Sequence, residues 1–268
     1  MYNTCEELAM LLCIDIGNTN IKLGLFEGEV MRHHWRIATE QSRMADEYAM
    51  LVRSLLDSQG LEMGAISGCA IASVVPSLTE TFTDFCRRYL RCDPLILNAG
   101  SDTGMRINTD YPAEVGPDLI VNALAARNLY GAPVIIVSFG TATAFAAVSA
   151  GGDFEGVAIA PGIISSGEAL FRSTATLPRV ALNRPPSAIG KNTIRSLQAG
   201  LVFGFAGLVE KLVARIKDEL GGQAKVIASG GLAELIAAET TVIDAVEPNL
   251  ALIGLRLFYE RSRATKPG

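Results

Sequence analysis

Residues 11–26 read LLCIDIGNTNIKLGLF, and residues 134–148 read VIIVSFGTATAFAAV. Laid over each other, Asp15 falls on Ser138 and Gly17 on Gly140, each after an apolar run. Both stretches predict a β-hairpin, because apolar runs flank turn chemistry on either side. Glycine at the turn permits a tight bend and a close backbone approach. The amides and the Asn or Thr side chains beside it can hydrogen-bond an anion. The chain therefore carries one strand-turn-strand phosphate loop twice. Its acid is present only in the first copy.

Working outward, the repeat sets the domain plan. A chain of 268 residues can be one large domain or two of about 130. The duplication favours two, divided as residues 1–127 and 128–268. After the first hairpin comes HHWRIATE, then a helix over 45–56 with Tyr48, Leu51, Val52 and Leu55 at helical spacing. A buried strand is predicted over 70–75, ended by Pro76, then an amphipathic helix over 77–91 and a strand over 94–98. Residues 102–116 are loop-rich, and 118–130 predict a helix with an acid at its start. The second half repeats the plan with a hairpin over 134–149, a strand over 156–160 and a Gly/Ser-rich loop. A long helix over 193–220 follows, with Ile194, Leu197, Leu201, Phe205, Leu208, Leu212 and Ile216 on one face. Gly200, Gly204 and Gly207 on this helix invite close approach of another backbone. A strand over 225–229 runs into Gly230 and Gly231, and a last helix covers 250–260. Two similar halves of strands and helices make a duplicated α/β fold.

Composition narrows the function classes. Hydrophobic residues make up 49% and charged residues 19%, which suits a compact α/β enzyme. A net charge of −5 argues against nucleic acid as partner, since that binding rests on a basic surface. Cys5, Cys13, Cys69, Cys86 and Cys92 are odd in number and form no CxxC pair, so reduced thiols in a cytoplasmic protein are expected. The first nine residues are acidic and unlike a targeting segment. Met10 is an alternative start, which would leave a short flexible extension ahead of it. Residues 128–152 carry no charge, but Gly131, Pro133 and Gly140 punctuate them, so a buried hairpin is expected and no membrane partner.

Competing nucleotide motifs fail. Gly190-Lys191-Asn192-Thr193 lacks the upstream glycine and the hydroxyl directly after Lys of a P-loop, and no GxGxxG follows a strand. His33 and His34 stand far from any acid or nucleophile signature and are expected to be structural or surface residues. Asp15 can hold Mg²⁺ or its waters while the turn amides hold phosphate oxygens; alone it also reads as a turn cap. Asp118, where a loop enters a helix, reads as an N-cap or as a base for an attacking hydroxyl. Thr141 reads as a phosphate contact or as ordinary strand packing. Gly230-Gly231 offers a flat backbone patch for an adenine, or a simple helix-start turn.

In order, DIGNTN, WRIATE, ASVVPS, EVGPDLIVNALAA, FGTAT, IAPGI, LPRV, IGKNT and ASGGLA resemble the type III pantothenate kinase family over nearly the whole chain. The resemblance implies an actin-like fold of two ribonuclease-H-like halves with a central cleft, working as a homodimer in the cytoplasm. It implies ATP, Mg²⁺ and a monovalent cation (K⁺ or NH₄⁺) as cofactors, and transfer of phosphate to the primary hydroxyl of pantothenate, the first step towards coenzyme A. Carried onto this sequence, Asp15, Ile16, Gly17, Asn18, Thr19, Asn20, Ile21 and Lys22 form the ATP phosphate loop, joined by Thr141. Asp118 is the general base. Gly116, Pro117, Asp118 and Leu119 line the pantothenate pocket, and Thr193 reaches pantothenate from the neighbouring subunit.

The departures fall where the chemistry belongs. The family's Gly-Ala-Asp-Arg reads Gly116-Pro117-Asp118-Leu119, so a cation facing the substrate is replaced by Leu119. The family's two acids in Asp-Phe-Gly-Thr-Ala-Thr-Thr-Phe-Asp read Ser138 and Ala146, and Ser138 takes the position of the monovalent-cation ligand. A family Tyr in the acceptor pocket reads Thr109, with Tyr111 two residues along. Three readings follow: a pantothenate kinase with altered cation dependence, a paralogue that keeps the fold as a binding or regulatory protein, or a kinase for another small alcohol.

Overall fold

A computed structural model of the chain describes residues 10–264. Cys5 and the extension expected ahead of Met10 lie outside the described residues. Strands β1 (Met10–Ile16), β2 (Asn20–Glu27) and β3 (Val30–Ala38) are followed by α1 (Ala45–Asp57), β4 (Ile66–Ser73), α2 (Pro76–Phe85), β5 (Leu95–Ile96) and α3 (Pro117–Tyr130). The second half contains β6 (Val134–Phe139), β7 (Ala142–Val148), β8 (Phe154–Pro161), α4 (Ile163–Ser173) and α5 (Thr193–Glu219), then β9 (Lys225–Gly230), α6 (Ala233–Ala237) and β10 (Ala245–Val246). The last element is α7 (Leu250–Ala264).

The strands form two sheets, ordered β3-β2-β1-β4-β5 and β10-β9-β6-β7-β8. In the first, β1 to β3 meander antiparallel while β4 and β5 add parallel to β1. The second repeats this pairing, with β6 to β8 antiparallel and β9 and β10 parallel to β6. The duplication seen in two hairpins thus extends to both whole sheets. The chain divides into two compact units. The first is the described part of Met1–Gly104, Tyr111–Ala125 and Ala251–Gly268; the second is Met105–Asp110 and Ala126–Leu250. A linear division at residue 127 assigns the last helix to the second half, whereas its contacts put it with the first unit.

Alternation along β1 explains what the first unit does with its two faces. Met10, Leu12, Ile14 and Ile16 enter a core with Tyr48, Phe82 and Phe85. Leu11, Cys13 and Asp15 therefore face the other way. There α7 packs so closely on α3 that a Cβ at Gly254 would lie 2.0 Å from the Val121 carbonyl oxygen. Arg256 of α7 is ion-paired with Glu260 and sits over the Phe26 ring. Gly254→Ala forces the two helices apart, and a loss of about 1–3 kcal/mol is expected, the usual cost of overpacking a filled contact. Urea unfolding at constant m-value checks it; an unchanged midpoint would show that the helices separate freely.

Several sequence expectations shift. HHWRIATE is largely β3, an edge strand on which His33 stacks with Trp35 while His34 is exposed. β4 begins at Ile66. The helix expected over 77–91 stops at Phe85, and a wider π turn, Cys86–Leu90, carries the chain to Arg91, whose φ is 54°. The expected Gly/Ser-rich loop contains α4, because packing on α5 overrides the poor helix propensity of its serines and glycine. In α5 the buried stripe runs through Val202, Phe205, Ala206, Val209 and Val213, while Ile194 is 52% exposed. Gly200, Gly204 and Gly207 meet nothing within 4 Å, so no backbone within the described chain uses them. By length and composition α5 is apolar enough to cross a membrane, yet its stripe belongs to the second unit's core. Residues 134–148 form the predicted hairpin β6–β7. Cys13, Cys69, Cys86 and Cys92 are free thiols.

Candidate active site

In the first unit β1 and β2 pair with Asp15 opposite Lys22 and Ile16 opposite Ile21. Between them the Gly17 N–H donates to the Asn20 carbonyl at 3.0 Å, closing a turn whose tip, Asn18 and Thr19, is exposed. A Cβ on Gly17 would stand 3.0 Å from that same carbonyl, a tight contact that favours glycine. The turn is also held from outside. Just beyond β3, the Thr39 hydroxyl donates to the Gly17 carbonyl at 2.7 Å, and the Thr39 N–H donates to the Thr19 carbonyl at 3.0 Å.

Asp15, on the face opposite the aromatic core, meets Asp118 there. Burial pushes the Asp15 carboxyl up to about 6; Lys22 across the hairpin pulls it down and Asp118 pushes it further up. Asp118 stands in the first turn of α3. Burial raises its pKa as well, opposed by the N–H groups of Leu119 and of Asp118 itself, which hydrogen-bond the carboxylate. A Cβ at Gly116 would fall 2.5 Å from the Asp118 Oδ1, so glycine leaves the carboxylate its place. Pro117 starts the helix, and Leu119 is buried, 9% exposed.

The other residues predicted from the sequence lie in the second unit. Ile135, Val137 and Phe139 enter its core, which leaves Ser138 on the opposite face of β6, across from Ala144. Ala146 lies on that face too, opposite Ile136 and fully buried. At the turn the Gly140 N–H donates to the Ala142 carbonyl at 3.0 Å. A Cβ on Gly140 would make only ordinary contact at 3.6 Å, so here the turn itself does not demand glycine. Thr141 is exposed at the tip, and its carbonyl accepts a 2.9 Å hydrogen bond from the Ser165 hydroxyl. Thr109 is half-buried, its hydroxyl without a hydrogen-bond partner among the described residues. Thr193 opens α5, behind an Asn192 cap that accepts from the Arg195 N–H. Asp15 to Lys22 and Gly116 to Leu119 thus come together in the first unit, while Thr109, Ser138, Thr141 and Thr193 belong to the second. Sequence reasoning missed Thr39, directly after β3, and Ser165, in the first turn of α4; the signal available was a hydroxyl residue in the segment that follows the third strand of each half.

A Mg²⁺ ion fits the first loop. It binds through one or two carboxylates plus phosphate oxygens and water, and Asp15 is a carboxylate whose ionised form lacks a close cation partner within 4 Å among the described ion pairs. A monovalent cation does not fit the second loop in the same way, because Ser138 and Ala146 supply no negative charge. Among the described residues no group of three or more His, Cys, Asp and Glu side chains could hold a metal ion.

Two copies of one five-stranded sheet, each with a phosphate-type turn after its first strand, define the actin-like class of ATPases and kinases. Component A of the (R)-2-hydroxyglutaryl-CoA dehydratase from Acidaminococcus fermentans shares the fold at a TM-score of 0.54 and 12% identity, covering 95% of this chain and 99% of that one. The family model for type III pantothenate kinase matches residues 11–215. The type III pantothenate kinase of Roseiflexus sp. (strain RS-1) is 55% identical over 255 residues, 95% of this chain and 100% of that protein. The one from Brevibacillus brevis is 51% identical over the same share of both. The chain belongs to the type III pantothenate kinase family.

Proposed function

We propose that the chain transfers the γ-phosphate of ATP to the primary hydroxyl of pantothenate, the first step of coenzyme A biosynthesis. The observation that carries the reading is the convergence of Asp15 and Asp118 at the end of one phosphate-type hairpin, in a chain of this family. Asp15, Ile16, Gly17, Asn18, Thr19, Asn20, Ile21 and Lys22 grip the ATP phosphates, with Thr141 from the second hairpin. Mg²⁺ at Asp15 would neutralise phosphate charge and orient the transferred group. Asp118 orients the pantothenate hydroxyl and takes its proton as the oxygen bonds to the γ-phosphorus and the bridging oxygen leaves with ADP. Gly116, Pro117 and Leu119 shape the acceptor pocket, with Thr109.

The enzyme acts as a cytoplasmic homodimer in which Thr193 reaches the partner's pantothenate. Ile159, Ile164, Leu170, Ile189 and Ile194 are large apolar side chains exposed in the second unit, where a second copy would cover them. Because Ser138 and Ala146 are neutral, turnover depends little on K⁺ or NH₄⁺. An assay of ADP release with pantothenate, run in K⁺, NH₄⁺ and choline salts, tests this. Pantothenate-dependent release differing less than about threefold among the salts is expected. Release no higher than without pantothenate would overturn the kinase reading in favour of a binding or regulatory paralogue, and release only with another alcohol would reassign the acceptor.

A further inference from the structure

WRIATE has no role in the proposed chemistry, yet its Thr39 makes two of the hydrogen bonds that shape the first turn. The Thr39 hydroxyl donates to the Gly17 carbonyl at 2.7 Å and its N–H to the Thr19 carbonyl at 3.0 Å. Thr39 is itself anchored. Directly after it, the Glu40 carbonyl accepts from the Tyr48 hydroxyl at 2.9 Å, and the Glu40 N–H donates to that oxygen at 3.3 Å. Tyr48 is fully buried and packs against Phe82. A chain of contacts thus runs from the aromatic core through Glu40 and Thr39 to the turn.

The second unit carries the counterpart. Four residues past its third strand, in the first turn of α4, the Ser165 hydroxyl donates to the Thr141 carbonyl at 2.9 Å. Beside it a Cβ at Gly162 would lie 2.3 Å from that carbonyl, so the two backbones lie in close contact. The same device, a hydroxyl from the segment after the third strand bonded to a turn carbonyl, occurs once in each half.

We infer that Thr39 and Ser165 are positioning residues, hydroxyl ties that hold the two turns in the conformation that receives ATP phosphates. A trans peptide is planar, with its C=O and N–H pointing in opposite directions. Tying the Gly17 carbonyl towards Thr39 therefore aims the Asn18 N–H the other way, out of the turn. The Ser165 tie fixes the Thr141–Ala142 peptide plane likewise. Preorganised amides bind an anion without first being ordered, which is where a tie of this kind contributes. The inference rests on reading these turns as the ATP phosphate grip.

Mg·ATP binding by calorimetry and steady-state kinetics on the full chain test it. Thr39→Val keeps the shape and removes the hydroxyl; its Kd and KM for ATP are expected to rise about tenfold, the scale of one unmade hydrogen bond. KM for pantothenate should stay within about twofold. Thr39→Ser should restore ATP affinity, which a role in packing alone would not predict. Ser165→Ala and Tyr48→Phe should each weaken ATP binding about threefold, and Tyr48→Phe stands in if Thr39→Val does not fold. A folded Thr39→Val that binds Mg·ATP like the parent, or a Thr39→Ser that fails to rescue, overturns the inference. A parent that binds Mg·ATP without phosphorylating pantothenate would overturn the kinase reading and leave the ties standing.

Discussion

Asp118→Asn is expected to lower kcat by about a thousandfold while KM for ATP and for pantothenate stays within about threefold. The magnitude is that of a general base lost from phosphoryl transfer, typically 10²- to 10⁴-fold. Asn has nearly the same shape and still presents an oxygen to the Leu119 N–H that hydrogen-bonds Asp118. It cannot take a proton. The substitution thus separates the two readings that the position admits on sequence grounds. If Asp118 serves only as a helix-terminal acceptor, Asn fills that place and kcat hardly changes. If Asp118 is the base, folding and binding persist and turnover collapses. Rapid-quench measurement of a single turnover checks it, because the chemical step is then read apart from product release. A kcat above about a tenth of the parent's would remove Asp118 from the chemistry.

The two-unit plan was legible because its signal is repeated and local. The β1–β2 and β6–β7 hairpins declare themselves through apolar runs broken at Gly17 and Gly140, and both sheets continue outward from them in one order. Boundaries and partners were less legible, for reasons that are tertiary. α4 has the composition of a loop and is a helix because Ile163 and its neighbours pack on α5. The stripe of α5 follows small residues, Ala199 and Ala206, that a count of large apolar side chains passes over. α7 joins the first unit because Gly254 allows it against Val121, a contact between residues far apart in the chain. In the site, the acids could be named from their places beside glycines. Their meeting follows only from the alternation of β1, which turns Asp15 away from the aromatic core. Thr39 stayed invisible because a threonine after a strand is ordinary until its hydroxyl is seen on the Gly17 carbonyl.

Asp15→Asn should abolish turnover and, in the nucleotide-free protein, raise stability at neutral pH. Burial pushes the Asp15 carboxyl from 3.8 up to about 6, so the folded state binds its proton more tightly than the unfolded state does. The contribution to stability is fully present below pH 4. It is lost as pH rises through 4 to 6, and above 6 the folded protein holds an ionised carboxylate in a place that disfavours it. At about 1.36 kcal/mol per pKa unit, that amounts to as much as ~3 kcal/mol at pH 7. Asn carries no charge to bury, so urea unfolding of Asp15→Asn should show the gain at pH 7.5 and none at pH 4. Equal stability at pH 7.5, or the same gain at both values, would show that Asp15 is not held against its ionisation. A carboxylate so placed is a poor choice for folding and a good one for binding a cation. On the proposed reading, Mg²⁺ delivered with ATP would relieve the cost, and the relief would add to affinity only where the carboxyl is already ionised. The rise in unfolding temperature produced by saturating Mg·ATP should therefore be larger at pH 7.5 than at pH 5, where the ligand must first displace a proton. In Asp15→Asn that pH dependence should be absent. On that reading, the stability that Asn would restore and the turnover that it would remove have one origin, an acid whose surroundings disfavour its charge until a metal meets it.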